Sequence, residues 1–303
     1  MTHVPVLLRE AVDGMNVKPF GTYLDATFGG GGHTKAICDA SAGTANIVAI
    51  DADPDAIERS KTPEYRERVK CSLYVAHGNY ADAEAILKDR GITTIDGALF
   101  DLGLSSFQLD ESGRGFSFMR DEPLVMRMGK GASTDGPRGE LTAGDVVNGF
   151  SEKGLADVIF AYGEERFARR IAAEIVRRRE HKPIETTFQL VEAIAAAVPG
   201  WYRYGKSHYA TRTFQGIRIA VNNELENVER GLASAFEVLA PGARLAIISF
   251  HSLEDRISKR FCEAMSEAGC ATKITKKPIA PSSLEITKNP RSRSAKLRII
   301  ERI

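Results

Sequence analysis

The sequence predicts an α/β protein, a doubly wound sheet of largely parallel strands with an all-helical domain inserted into it. Three observations predict this. Apolar runs of strand length alternate with helix-like runs through residue 101, and three of the strands end in an acid. A glycine run, Gly29 to Gly32, joins the first of those strands to a helix. The alternation stops near residue 105 and resumes after residue 209.

Taken in order, residues 5–15 read as an amphipathic helix with Val6, Leu7, Ala11, Val12 and Met15 on one side. Tyr23-Leu24-Asp25 ends the first strand, and the helix beyond the glycines starts at His33. Glycine lets a ligand approach the backbone, and a helix start offers free N–H donors, so this turn suits a nucleotide cofactor. The second strand, 46–51, ends in Asp51, about 20 positions past the glycines, where a carboxylate can meet a ribose diol. Asp53 reads as an N-cap with Pro54 in the first turn. A third strand, 73–77, leaves through Gly78-Asn79-Tyr80, and a fourth, 95–101, ends in Asp101. Ligands of such sheets sit beyond the carboxyl ends of the strands, where Asp25, Asp51 and Asp101 converge.

From 105 to 209 no strand is convincing. Residues 121–139 read as loop, and 143–150, 153–162, 164–179 and 187–198 as helices. Apolar residues from Phe214 to Leu239 recur at steps of three and four, which predicts one long helix ended by Pro241-Gly242. A fifth strand (244–250), a helix (253–264) and an edge strand (294–303) complete the reading. The expected domains are 1–104 with 210–303, and 105–209.

Composition narrows the function. The 303 residues are 43% hydrophobic, ample for a packed core, with 41 basic against 40 acidic residues. Any nucleic-acid surface must therefore be local. Lys273, Lys276, Lys277, Lys288, Arg291, Arg293, Lys296 and Arg298 form one candidate strip, with Glu285 as its one acid. Arg114 to Arg120 and Trp201 to Tyr209 interleave aromatics with basic residues, a pattern that stacks bases and holds phosphates on single-stranded RNA. Arg177-Arg178-Arg179 lies beside Glu174 and Glu180 and reads as a solvated face. Cys38, Cys71, Cys262 and Cys270 lack C-x-x-C spacing, which favours a reducing compartment and argues against a zinc site. With no apolar signal core and no membrane-length run, the expectation is a soluble cytoplasmic protein, without metal or membrane. A dinucleotide oxidoreductase would want G-x-G-x-x-G, and the third glycine is missing.

Longer motifs complete the picture. They are His3-x-Pro5-VLL-x-Glu10, Asp25-x-Thr27-x-Gly29-x-Gly31-Gly32-His33, and Asp101-Leu-Gly-x-Ser-Ser-x-Gln108-Leu-Asp110. Arg114-GFSF, Tyr162-Gly-Glu-Glu-Arg-Phe167, Ala210-TRTFQ-x-x-Arg218-Ile, Ile248-SFHSLEDR and Asn289-Pro-Arg-x-Arg-Ser294 follow. Nearly end to end, the sequence resembles the bacterial 16S rRNA cytosine-N4 methyltransferase family.

That resemblance implies a class I methyltransferase (Rossmann-like) fold with a helical substrate-recognition insert. It implies S-adenosyl-L-methionine as cofactor and a cytidine N4 in the decoding region of the small-subunit rRNA as target. The partner would be 16S rRNA or the small subunit, and a homodimer is one assembly compatible with it. Cofactor positions fall on Gly31, Gly32, His33, Asp51, Tyr80, Asp101 and Gln108. The glycine turn would hold the methionine part, Asp51 the ribose, and Tyr80, where the family usually has phenylalanine, the adenine. Asp110 and His251 are the candidates for contacting the base or accepting its proton. Val125, Tyr209 and Ala243 depart from the family's motifs, and Val125 removes a carboxylate from the substrate side. Two rivals are a small-molecule methyltransferase and a non-catalytic RNA-binding protein. The helical insert and basic strip count against the first, the intact cofactor positions against the second.

Overall fold

A computed structural model describes residues 5–129, 141–205 and 207–303. His3, most of the 121–139 loop and Lys206 lie outside the described residues. The chain forms two compact units, one running up to Ser105 and resuming over Leu225–Ile303, the other Ser106–Glu224. In chain order the first unit has α1 (Leu8–Met15), β1 (Thr22–Asp25), α2 (Gly32–Ala40), β2 (Asn46–Asp51), α3 (Pro54–Lys61), α4 (Pro63–Arg68), β3 (Ser72–His77), α5 (Ala83–Lys88) and β4 (Ile95–Asp101). The second has α6 (Ser106–Asp110), α7 (Ala143–Gly149), α8 (Glu152–Gly163), α9 (Ala168–Arg179), α10 (Thr187–Ala197), α11 (Gly200–Arg203) and α12 (Thr211–Asn222). The chain then returns through α13 (Glu224–Glu237), β5 (Leu239–Ser249), α14 (Ser252–Glu267), β6 (Ala271–Lys273), α15 (Ser283–Lys288) and β7 (Lys296–Arg302).

The strands form one sheet in the order β3-β2-β1-β4-β5-β7-β6. Pairings among β1 to β5 are parallel, and β7 runs antiparallel to β5 and β6. This is the predicted doubly wound sheet, in the class I methyltransferase fold. Successive strand residues point to opposite faces, and both faces are covered. Leu24, Val48, Ile50, Ala98, Phe100 and Ile247 join Val228, Leu232 and Phe236 of α13 in one core. Tyr23, Ile47, Leu99, Ala246 and Ile248 join Leu7, Val12 and Met15 beside α1, and Ile37 of α2, in the other. Each fully buried aliphatic or aromatic side chain contributes about 1.5–3 kcal/mol.

Among the described residues of the second unit no strand occurs beyond the isolated bridge Pro123–Thr186. Capping boxes start α7 (Thr142 with Asp145) and α10 (Thr186 with Gln189), and Ser151 caps α8. A Cβ on Gly163 would lie 2.3 Å from the Arg212 carbonyl oxygen, so α12 crosses the end of α8 at backbone contact.

Four expectations are corrected. The long helix is two, because Asn223 adopts the left-handed conformation, φ 49°, and ends α12. Asparagine tolerates that turn without a glycine or proline signal. Phe214 and Ile217 are therefore buried in α12, which packs on α8, and the expected boundary at 209/210 moves to 224/225. Pro241-Gly242 lies inside β5 at a register shift opposite β4, not at a helix end. Finally, Cys38 and Cys71 face each other as a disulfide between α2 and the start of β3, where spacing gave no hint of pairing. No helix among the described residues is long and apolar enough to cross a membrane.

Candidate functional site

The site is built at the carboxyl ends of β1, β2 and β4. Asp25 pairs in register with Ala49 and Leu99, so β1 stops two residues short of Asp51 and Asp101. The glycine turn fills that gap. Gly31, at φ 70°, starts α2 as its N-cap.

Each acid is fixed by the turn around it. Asp25 is fully buried and accepts from Thr34 Oγ1 at 2.6 Å and Thr27 N at 3.2 Å. Burial raises its carboxyl above the ordinary value, with those hydrogen bonds pulling the other way. Asp51 accepts from Gly29 N at 2.7 Å and Asp53 N at 2.8 Å, tying β2 to the glycine turn. Burial pushes its carboxyl up to about 6, against the pull of those two donors. Asp53 caps α3 as expected, accepting from Asp55 N.

Asp101 donates its backbone N–H to Thr27 Oγ1 at 2.7 Å, and its Oδ2 lies 3.4 Å from His33 Nδ1. The other His33 nitrogen is 3.2 Å from the Val6 carbonyl. Burial alone would lower the imidazole's pKa, but Asp101 and then Asp25 outweigh it and raise it. The second oxygen of Asp101, Oδ1, is buried and has no hydrogen-bond partner among the described residues. A buried acceptor without a donor fits a ligand that brings a donor or a positive charge.

The glycines serve the protein as well as any ligand. A Cβ on Gly31 would lie 2.2 Å from Tyr65 Oη, and one on Gly32 would lie 2.2 Å from Pro5 Cγ. Tyr65, on α4, donates to the Gly31 carbonyl at 3.1 Å and packs edge-on against Phe28. Neither Tyr65 nor Thr34 was singled out from the sequence. Nothing in the run Pro63-Glu-Tyr-Arg marks a turn support, whereas Thr27 lies within the Asp25-x-Thr27-x-Gly29 motif.

The remaining predicted residues are Tyr80, just past β3, His251, just before α14, and two on α6. Tyr80 packs edge-on against Phe100 at 5.6 Å, and a Cβ on Gly231 of α13 would touch its ring. His251 caps α14: its Nδ1 accepts from Glu254 N, and its Nε2 lies 3.2 Å from a Glu254 carboxylate oxygen. Gln108, buried, and Asp110 lie on α6 in the helical unit. The Asp110 carbonyl accepts from the Arg120 guanidinium.

The predicted RNA stretches divide. Arg114 is buried and donates to the Arg127 and Met128 carbonyls, and Phe116 is buried, so this stretch starts inward. Phe118 stacks on His208 at 4.4 Å. Trp201 and Tyr204 face outward, 63% and 90% exposed. In the C-terminal strip, Lys296 and Arg298 are committed to Asp255 at 2.7 and 2.9 Å. Burial works against that carboxylate's charge, but those two hydrogen bonds outweigh it and hold its pKa below the ordinary value. Lys273, Lys276, Lys277, Lys288 and Arg293 are exposed.

The sheet order and the acid edge around a glycine turn define a class I methyltransferase. The model of the MraW methylase family matches residues 1–303, and the chain belongs to that family. It is 49% identical to "Ribosomal RNA small subunit methyltransferase H" of Synechococcus elongatus, over 99% of this chain and 95% of that one. The protein of the same name from Nostoc punctiforme is 47% identical over 100% of this chain and 94% of its own. That from Kosmotoga olearia is 46% identical over 100% and 98%. A solved structure titled as an rRNA methylase from Streptococcus thermophilus aligns at a TM-score of 0.46 and 11% identity, over 100% of this chain and 99% of that one.

Proposed function

We propose that this enzyme transfers a methyl group from S-adenosylmethionine to the exocyclic N4 of a cytidine in 16S rRNA, in the decoding region of the small subunit. The observation that carries this is family membership over the full chain, joined to the acid edge. The residues fit the cofactor. Asp51 would accept from the ribose diol, since a carboxylate taking two backbone donors still has lone pairs to offer. The orphaned Asp101 Oδ1 would face the cationic part. Gly31, Gly32 and His33 would hold the methionine end, Tyr80 would flank the adenine, and Gln108 would bind from α6.

The sulfonium supplies an activated methyl group, so the protein's work is positioning and exclusion of water. The chain must present a base taken out of RNA structure, and the helical unit is the substrate-recognition part. Asp110 is the residue we assign to the base or its proton. His251 is the second residue we assign to that role: its Nδ1 is used in the cap of α14, accepting from Glu254 N, and its Nε2 is the nitrogen left to act. The setting is the cytoplasm, where small subunits are assembled.

The test is transfer of labelled methyl to naked 16S rRNA, isolated small subunits and bulk metabolites, followed by nucleoside mass spectrometry. N4-methylcytidine in rRNA is expected. Label confined to metabolites would favour the small-molecule rival, and no transfer to any acceptor would favour the non-catalytic one.

A further inference from the structure

We propose that Arg166 and Trp201 form a stacking subsite for an unpaired stretch of RNA on the helical unit. It rests on the rRNA substrate proposed above and gives that substrate a contact surface. Trp201 is 63% exposed and Tyr204 is 90% exposed, so neither ring is there for core packing. The indole is nevertheless held in place. The Arg166 guanidinium lies 4.6 Å from the Trp201 centroid, 4.9 Å from Phe167 and 5.1 Å from Tyr202. Phe167 and Tyr202 meet the indole edge-on at 6.1 and 5.8 Å. Tyr202 is anchored by its hydroxyl, which donates to Glu165 at 2.5 Å. Glu165 is fully buried and also accepts from Phe167 N, so its carboxylate lies inside the unit, away from any ligand. The guanidinium lies over the indole ring, so a base can stack on the rest of the exposed indole or on the guanidinium plane itself, and the preset pair loses little side-chain freedom in binding it.

Charge selects the occupant. Residues 164–170 and 200–205 carry four exposed arginines, Arg166, Arg169, Arg170 and Arg203, against one exposed acid, Glu164. That excess suits a polyanion. The rings require bases with open faces, which a duplex covers and a single strand offers. The C-terminal strip makes the contrast: residues 271–303 contain no aromatic side chain, so they can hold phosphates but cannot stack bases.

Trp201 is the only tryptophan in the chain, so intrinsic tryptophan fluorescence reports this one position. Saturable quenching of the wild type by a single-stranded cytidine-rich oligonucleotide is expected, with little from a duplex of the same length. Trp201→Ala should weaken oligonucleotide binding by about 5- to 150-fold, the worth of one stacked base. It should raise KM for 16S rRNA more than it lowers kcat, and Trp201→Phe should recover most of the loss. Phe20→Ala removes another exposed ring, 79% exposed on the other unit, and should change neither quenching nor KM. A wild type that methylates rRNA but shows no quenching would overturn the subsite. So would equal quenching by duplex, or quenching by ribosomal proteins and not by RNA. A wild type that methylates no rRNA would refute the proposed function instead, and the quenching titration separates the two failures.

Discussion

The acid edge of the sheet and the arginine surface of the helical unit handle charge in opposite ways. At the edge, Asp25 is fully buried and Asp51 is lifted to about 6, each already holding backbone or hydroxyl donors. On the helical unit, Arg166, Arg169, Arg170 and Arg203 are exposed. A small ligand of fixed shape can be met by buried groups aimed beforehand, and the raised carboxyl of Asp51 is the electrostatic cost of that aim. A long polyanion needs no burial, because many exposed contacts add up and remain sensitive to salt. Changes at the edge should therefore act on cofactor affinity without salt dependence. Changes at the surface should act on RNA affinity and its salt slope.

The largest expected effect is at the edge. Asp51→Ala removes a charged acceptor, worth about 1.5–3 kcal/mol, and should weaken S-adenosylmethionine binding by roughly 10- to 150-fold. The fold should persist, since Asp53 and not Asp51 caps α3. Calorimetric titration reads it, and unchanged affinity in a folded variant would remove Asp51 from the site.

The next effect is on pH. The Asp51 carboxyl titrates at about 6 in the folded chain against an ordinary 3.8. Between these values the folded state holds a proton that the unfolded state has lost. This group's contribution to stability is therefore largest below 3.8, and it declines as pH rises through about 6. Cofactor binding runs the other way if the diol requires the carboxylate. Affinity should fall by up to about tenfold per unit below pH 6 and level off above it. Asp51→Asn should flatten both dependences. A pH profile shared by wild type and variant would place the titrating group elsewhere.

How much of this was legible in sequence follows the same division. Strand ends, the glycine turn and the Asp53 cap were readable because each is a local pattern with a local cause. Tyr65 was not, because its contact with Gly31 joins residues far apart along the chain that only the folded sheet brings together. Arg114 and Trp201 sit in similar aromatic–basic runs, yet one is buried and the other exposed. Residue type could not separate them, since what holds Arg114 inward is a pair of carbonyls, those of Arg127 and Met128, that only the fold brings within reach of its guanidinium. Lys296 and Arg298 read as free cations until Asp255, on another element, takes both.

A smaller effect is expected from the C-terminal strip. Replacing Lys276, Lys277, Lys288 and Arg293 with alanine should flatten the salt dependence of RNA binding. Each single-strand phosphate that these side chains neutralise should account for up to about 0.7 log units of slope. Cofactor affinity should hold. Lys296→Ala with Arg298→Ala should behave differently and destabilise the fold by about 1–3 kcal/mol, because Asp255 would be left without either charge partner. A thermal melt separates the two sets, and an unaltered salt slope in the first would make the strip an ordinary solvated face.

The smallest expected effect concerns the atom that is methylated. Carbon-5 methylation of cytosine generally requires a thiolate that adds to the ring, which calls for an accessible thiol with a lowered pKa. Among the four cysteines none answers that description. Cys38 and Cys71 are joined to each other. Cys262 is buried in α14, and burial pushes its thiol up to about 11. Cys270 is exposed just before β6, whose Ala271 pairs with Arg302 of β7, and the registers through β5 put that end of β6 at the amino end of the parallel strands. Attack by the exocyclic amine needs no covalent adduct, so Cys262→Ser with Cys270→Ser should leave turnover near that of the wild type. Changing Cys38 and Cys71 as well should lower the melting temperature while leaving the folded enzyme active, because a disulfide holds the chain and cannot add to a base. Nucleoside mass spectrometry should find N4-methylcytidine in every case. Either 5-methylcytidine as product, or a folded cysteine-free enzyme without activity, would show that the amine is not the attacking atom.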